Sequence, residues 1–109
     1  MFLLCPLEQL VEGKSRGFQR NGIAIVAVRK NQQVYAYVNR CPHRGIPLEW
    51  QPDDFLDYSA EFIQCATHGA LFSISSGECI AGPCVGQGLE PLQVSIDAQQ
   101  QVWVNELDD

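Results

Sequence analysis

The sequence is poor in basic residues. Lysine and arginine together number 7 against 13 aspartates and glutamates, which gives a formal net charge of −6. It contains no run of lysine or arginine, which argues against a nucleic-acid surface and against an electrostatic membrane patch. An acidic chain of this size instead suits docking to a basic face of a partner protein.

Long hydrophobic runs are also missing. The segment Met1–Leu7 is apolar, but it has no basic leader and is broken by Pro6, so we expect a first β-strand rather than a signal peptide or a membrane-spanning helix. A dinucleotide fingerprint is absent too, because Gly82, Gly86 and Gly88 lack the Gly-x-Gly-x-x-Gly spacing and follow no βαβ pattern.

Length and cysteine usage limit the class of protein. A chain of 109 residues that is 46% hydrophobic can bury one core, so we expect a single domain over residues 1–109. Its five cysteines are an odd number and do not resemble a disulfide framework. A reducing cytoplasm fits this composition.

The periodicity predicts an all-β fold. Phe18–Arg20 and Ile23–Arg29 flank Asn21–Gly22, a pair typical of a two-residue type I′ hairpin turn. Residues 7–17 suit a connecting turn, and residues 49–58 show no sustained period and predict an irregular excursion. The other predicted strands cover residues 34–38, 61–64, 70–73, 92–96 and 102–104.

Two short motifs carry both histidines of the chain. They are Cys41-Pro42-His43-Arg44-Gly45 and Cys65-Ala66-Thr67-His68-Gly69-Ala70, and each lies where a predicted strand ends. Each motif places one cysteine and one histidine at ligand spacing, so together they predict a shared metal centre.

Three chemistries compete for these residues. The cysteines could be ordinary thiols or a disulfide beside incidental histidines. The four side chains could hold a structural zinc, although Cys2His2 zinc modules commonly place both cysteines in one knuckle and both histidines on a following helix. A mixed pair from each loop suits a [2Fe–2S] cluster in which one iron takes both thiolates and the other takes both imidazoles.

Cys41-x-His43 with Cys65-x2-His68, each followed by a Gly-containing turn, resembles the Rieske iron–sulfur proteins over nearly the whole chain. The resemblance implies stacked antiparallel β-sheets with a small cluster-binding subdomain made of two metal loops, about 41–46 and 65–70. It implies that Cys41 and Cys65 hold the inner iron of one [2Fe–2S] cluster. His43 and His68 would hold the outer iron near the surface.

The same resemblance implies a covering loop at about residues 79–85, in which Pro83 lies across the cluster. An ordinary turn proline is the alternative for Pro83. Gly45, Gly69 and Phe72 are further candidates for shielding the cluster. Cys79 and Cys84 are close enough in sequence for a disulfide, but two buried thiols are the favoured state.

High-potential members of the family carry an extra cysteine in each loop and hydroxyl donors to the cluster. The matching positions here are Ile46, Thr67, Ala70 and Phe72. Without those donors the reduced state is less stabilised, which predicts a potential toward the low end of the roughly −150 to +300 mV Rieske range. The sequence therefore resembles a Rieske-type ferredoxin.

The resemblance implies a soluble, cytoplasmic, monomeric one-electron carrier between a flavin-dependent NAD(P)H reductase and a terminal oxygenase or similar acceptor. It would not be an enzyme by itself, because ligation of the cluster leaves no histidine for a mononuclear iron site. The alternatives are a small subunit or accessory Rieske domain of a larger reductase, like the nitrite reductase small subunit, a redox or iron sensor, and a zinc-stabilised binding module.

Overall fold

The computed structural model describes residues 2–20, 22–40, 48, 53, 55–57, 59–65, 69–83 and 85–105. Apart from a 3₁₀ helix at Leu7–Gln9, the regular structure in these ranges is β-strand, so the predicted all-β class is confirmed. None of this described part forms a helix long and apolar enough to cross a membrane. The strands are β1 Phe2–Pro6, β2 Lys14–Arg20, β3 Ile23–Lys30, β4 Gln33–Val38, β5 Phe62–Gln64, β6 Leu71–Ser73, β7 Cys79–Ala81, β8 Pro91–Leu92, β9 Val94–Ile96 and β10 Gln101–Val104.

These strands form three antiparallel sheets, as the prediction of stacked antiparallel sheets requires. Sheet 1 has the order β1-β10-β9, sheet 2 the order β2-β3-β4-β8, and sheet 3 the order β5-β6-β7. Sheet 2 is central, because its two faces contribute to two different hydrophobic cores.

Strand β3 shows how the central sheet is buried on both sides. Ile25 and Ala27 pack into the core shared with sheet 1, whereas Val26 and Val28 pack into the core shared with sheet 3. All four are at most 2% exposed. A strand covered on both faces needs apolar residues at every position, which explains the unbroken hydrophobic run here.

The β2–β3 hairpin has the predicted two-residue turn, since Arg20 pairs directly with Ile23, although Asn21 lies outside the described residues. The expectation of a connecting turn over residues 7–17 is wrong at its end, where Lys14–Gly17 forms the start of β2. These residues have weak strand propensity, but they pair with Val26–Arg29 on an edge that tolerates polar side chains and glycine.

The strand predicted over residues 92–96 is in fact divided between two sheets. Leu92 belongs to β8 and pairs with Ala36 in sheet 2, whereas Val94 begins β9 in sheet 1. Pro91 has no amide hydrogen and therefore suits β8, which is an edge strand. The closing β9–β10 hairpin around residues 97–100 is confirmed.

The described part of the excursion between the two motifs is anchored on the free edge of β2. The Gly17 amide donates to Asp53 Oδ1 at 2.7 Å, and Ser15 Oγ donates to the Asp53 carbonyl at 2.9 Å. Ser15 Oγ also accepts a hydrogen bond from the Phe55 amide at 3.1 Å. These contacts occupy an edge amide and fix Phe55, which is fully buried, in the core next to sheet 3.

Candidate metal centre

Of the four predicted ligands, the structure describes Cys65. It follows the last residue of β5 and has no exposed surface. Cys41, His43 and His68 lie outside the described residues, as does Gly45. Among the described residues no three His, Cys, Asp or Glu side chains are grouped as metal ligands would be, and what the structure describes here is the segments that border the predicted site.

The second motif lies in a loop whose base is closed by backbone hydrogen bonds. The Cys65 amide donates to the Ala70 carbonyl at 2.9 Å, and the Gly69 amide donates to the Cys65 carbonyl at 2.8 Å. Cys65 and Ala70 are both fully buried, whereas Gly69 is exposed. The base of the loop is therefore a continuation of the β5–β6 hairpin, with Cys65 and Ala70 in the interior and Gly69 at the surface.

The first motif follows β4, where the chain turns sharply. The Arg40 amide donates to the Val38 carbonyl at 2.9 Å, which is the hydrogen bond of a three-residue γ-turn. At the other end of the loop the Leu48 amide donates to Asn39 Oδ1 at 2.8 Å. A buried side chain thus joins the residues that flank positions 40–47. Sequence reasoning missed this residue, because a single asparagine after a strand carries no periodic signal.

The segment predicted to cover the centre approaches the second loop at one point. A Cβ added to Gly82 would lie 2.8 Å from Ala70 Cα and 3.0 Å from Ala70 Cβ. Only glycine permits so close an approach, and the next residue, Pro83, is exposed. Cys79 is buried, and its Sγ donates a hydrogen bond to the Ala81 carbonyl at 3.3 Å, as a thiol does. Cys84 lies outside the described residues.

Phe72, the other predicted shielding residue that is described, is fully buried in the core that also contains Cys65. Its strand neighbours place it directly across from Ile63 of β5 and Cys79 of β7. The core into which Cys65 and Ala70 pack is therefore apolar.

Tyr37 connects the strand before the first motif to the hairpin after the second. Its hydroxyl donates to the Ile74 carbonyl at 2.5 Å, and its Cε1 would lie 2.6 Å from a Cβ added to Gly77. Burial, with a smaller contribution from Tyr35, raises the pKa of Tyr37 to about 12. Tyr37 is therefore neutral at physiological pH and available as a donor that joins sheet 2 to sheet 3.

A carboxylate organises the turn that leads into β5. Burial alone would raise the pKa of Asp57, but hydrogen bonds from the Ser59 hydroxyl and from the Phe62 and Glu61 amides outweigh it and lower that pKa. The Asp57 amide in turn donates to the Phe62 carbonyl at 2.9 Å. The strand that leads to Cys65 thus begins from a fixed turn.

The surroundings of Cys65, the one predicted ligand that the structure describes, fit a cluster ligand. Cys65 lies beside a loop base closed by backbone bonds and against an apolar core, a setting in which a thiolate ligand is held and shielded from water. Cys5 differs, because it belongs to the core on the other side of sheet 2. Burial raises the pKa of the Cys5 thiol, and the charge of Arg16 offsets this only in part, so Cys5 is a neutral structural thiol.

Comparisons with known proteins agree with this description. The family model of the Rieske [2Fe-2S] domain matches residues 1–103. Human apoptosis-inducing factor 3 is 29% identical over 101 residues, which are 93% of this chain and 16% of that protein. The chain also spans 15% of the mouse protein, so it covers only a small part of the curated relatives that it matches.

Two solved structures resemble the whole chain. The ferredoxin of carbazole 1,9a-dioxygenase from Nocardioides aromaticivorans IC177 has a TM-score of 0.77 at 26% identity, over 94% of each chain. A ferredoxin of Sphingomonas yanoikuyae B1 has a TM-score of 0.76 at 22% identity, over 97% of this chain and 98% of that one.

Proposed function

The chain belongs to the Rieske [2Fe-2S] domain family and binds one [2Fe–2S] cluster, and on this premise we propose that it is a soluble one-electron carrier. It takes an electron from a flavin-dependent NAD(P)H reductase and gives it to a terminal oxygenase or a similar redox acceptor. When bound, the cluster supplies reversible one-electron oxidation and reduction. The observation that carries the proposal is the family match over residues 1–103, which includes both Cys/His motifs.

We assign the ligands as Cys41 and Cys65 on the inner iron, with His43 and His68 on the outer iron. The burial of Cys65 and the closed base of its loop support this assignment. Neutral imidazoles in place of two thiolates make the centre less negative, so an added electron is better tolerated. The electron leaves through the edge formed by the two histidines.

The protein's contribution beyond ligation is to exclude water and fix the loops. We assign shielding of the cluster to Gly45 in the first loop, Gly69 in the second loop, Phe72 in β6 and Pro83 in the covering segment 79–85. The close approach of Gly82 to Ala70 supports this, because it brings the covering segment onto the backbone of the second loop.

The partners follow from the same premise. The similar ferredoxin from Nocardioides aromaticivorans is that of a dioxygenase, which favours an oxygenase as the acceptor. We propose a cytoplasmic monomer made of one Rieske domain over residues 1–109, with no catalytic site of its own, since both histidines ligate the cluster. The net charge of −6 predicts docking to a basic face of each partner.

One observation favours a second candidate function. Because the chain spans only 16% of human apoptosis-inducing factor 3, the same domain also occurs within much longer proteins. The chain could therefore serve as an accessory Rieske domain or small subunit of a larger reductase, like the nitrite reductase small subunit. A stable complex with a catalytic subunit after purification from the native source would favour this candidate, and a free monomer would favour the carrier.

The first experiment is an optical and EPR spectrum of anaerobically purified protein, before and after dithionite, with iron, sulfide and zinc counted on one sample. We expect two irons and two sulfides per chain and a reduced rhombic EPR signal of mixed histidine and cysteine ligation. A colourless protein with one zinc and no reducible centre, even after iron–sulfur reconstitution, would mean that the four side chains form a structural zinc site.

A matched pair of variants tests the described ligand. Cys65→Ser and Cys5→Ser each replace one fully or almost fully buried cysteine, but the two side chains lie in different cores. We expect Cys65→Ser to lose most of its iron or to change the EPR spectrum, and Cys5→Ser to keep both. Equal iron content and equal spectra in the two variants would contradict the assignment of Cys65.

A further inference from the structure

We propose that Asn39 is a positioning residue for the cluster: its side chain closes the base of the first ligand loop and so sets where Cys41 and His43 lie. The proposal rests on the assignment of those two residues as ligands. Asn39 would not touch the cluster, and it would act only through the loop that it closes.

The contacts of Asn39 occupy both sides of the loop base. Its backbone amide donates to the Ala24 carbonyl of β3 at 2.8 Å, which fixes the residue beside the central sheet. Its side-chain Oδ1 accepts the Leu48 amide at 2.8 Å. Residues 39 and 48 are thereby joined across the eight positions 40–47, which include both predicted ligands.

Both residues of this hydrogen bond are buried. Asn39 is 8% exposed and is the one buried side-chain amide among the described residues, while Leu48 is fully buried. An apolar side chain at position 39 would leave the Leu48 amide without this acceptor in the core, which is costly. The loop could recover a partner only by moving the amide toward water.

The bases of the two ligand loops are closed by different kinds of hydrogen bond. The second loop has four positions, 66–69, between Cys65 and Ala70, and a backbone hydrogen bond closes it. The first loop is longer, with eight positions, 40–47, between Asn39 and Leu48. Closing a longer loop costs more conformational entropy. A side-chain oxygen at Asn39 supplies the connection that the backbone of the shorter loop makes directly.

The hydrogen bond between Leu48 and Asn39 also relates the first loop to the second. Leu48 packs into the same buried core as Cys65, so the residue that ends the first loop shares its surroundings with a ligand from the second. A shift of Leu48 would therefore change the distance between the two loops. The expected consequence is a change in the ligand geometry of the cluster and not merely a loss of folding stability.

The test compares Asn39→Leu, Asn39→Asp, Asn39→Gln and Val102→Ala with the unchanged protein, each reconstituted with its cluster. Leu removes the acceptor at similar volume, Asp keeps an acceptor oxygen at the same place in either protonation state, and Gln moves the oxygen by one methylene. Val102→Ala is the stability control, because Val102 is fully buried in the core between sheets 1 and 2, which contains neither Leu48 nor Cys65.

The readouts are the reduced EPR spectrum, the rate of iron release to a chelator and the denaturation midpoint. We expect Asn39→Leu and Asn39→Gln to shift the EPR g-values and to release iron about tenfold faster, as loss of one buried hydrogen bond implies. We expect Asn39→Asp to resemble the unchanged protein, and Val102→Ala to be less stable with an unchanged EPR spectrum.

Two results would overturn the proposal. One is an unchanged EPR spectrum in Asn39→Leu with iron release no faster than in an equally destabilised Val102→Ala. If Asn39→Leu does not fold, the comparison is between Asn39→Gln and Asn39→Asp. Identical EPR spectra and identical rates of iron release in these two variants would then overturn the proposal. Failure of the ligand assignment itself would look different, because the unchanged protein would then lack the EPR signal of mixed histidine and cysteine ligation.

Discussion

Replacement of Gly82 by alanine tests how the covering segment lies on the second ligand loop. Gly82 has a φ of +100°, and an added Cβ would lie 2.8 Å from Ala70 Cα and 3.4 Å from Ala70 N. These are backbone atoms, and the Ala70 carbonyl accepts the Cys65 amide, so the second loop cannot yield without losing that bond. We expect the covering segment to move outward instead.

Gly86, one residue beyond the covering segment, provides a matched control. Its φ is +97°, but a Cβ added there meets nothing within 4 Å. Both alanine variants bear the cost of a left-handed conformation, about 1–2 kcal/mol, and the same gain from a less flexible unfolded chain. Gly82→Ala bears in addition an overpacking cost of about 1–3 kcal/mol. The difference between the two variants therefore isolates the contact with Ala70.

The assay has two parts. Chemical denaturation of both variants gives the difference in the free energy of unfolding, and oxygen or ferricyanide oxidation of the dithionite-reduced protein reports how well the cluster is covered. We expect Gly82→Ala to be less stable than Gly86→Ala by about 1–3 kcal/mol and to be oxidised faster. Equal stabilities and equal oxidation rates in the two variants would refute the reasoning.

Three further predictions concern charge and titration. Burial raises the pKa of Tyr37 from 10.0 to about 12, so as the pH rises Tyr37 ionises first in the unfolded chain. The free energy of unfolding should therefore fall between pH 10 and about 12. Denaturation curves of Tyr37→Phe should lack this decline. The lowered pKa of Asp57 predicts a contribution to stability that is lost as the pH falls through that value, and Asp57→Asn should flatten the acid limb. The net charge of −6 predicts slower reduction by the reductase as salt is added, and a rate that is flat across ionic strength would contradict electrostatic steering.

Local sequence signals were sufficient where a structural unit is contiguous in the chain. The turn at Asn21–Gly22 predicted the β2–β3 hairpin, and the residue pair Arg20 and Ile23 has the expected register. The closing hairpin was predicted for the same reason. In both cases the partner strand lies within a few residues, so the turn chemistry alone sets the pairing.

Sequence reasoning failed where pairing or contact depends on distant residues. Lys14–Gly17 is polar and contains glycine, and it becomes strand only because β3 offers it a partner. Leu92 and Val94 enter different sheets, a change that no local period encodes. Asn39 was missed for a related reason, since its role appears only when Leu48 is placed beside it. The ligand assignments of Cys41, His43, Cys65 and His68 all stay predictions from the motifs.

The two ligand loops belong to different sheets, and this has a consequence for the protein without its cluster. The first loop follows β4 of sheet 2 and the second follows β5 of sheet 3, and the described strands of these sheets share no backbone ladder. Their relative position depends on side-chain contacts, such as the Tyr37 hydroxyl on the Ile74 carbonyl, and, under the proposed ligand assignment, on the ligands that both loops would give to one cluster. Removal of the cluster should therefore loosen sheet 3 from sheet 2 while sheet 1 stays packed. Amide hydrogen exchange on the same protein with and without cluster tests this, with faster exchange expected in β5–β7 and unchanged exchange in β9 and β10. Uniform acceleration across all three sheets would mean that the cluster stabilises the fold as a whole rather than joining two of its layers.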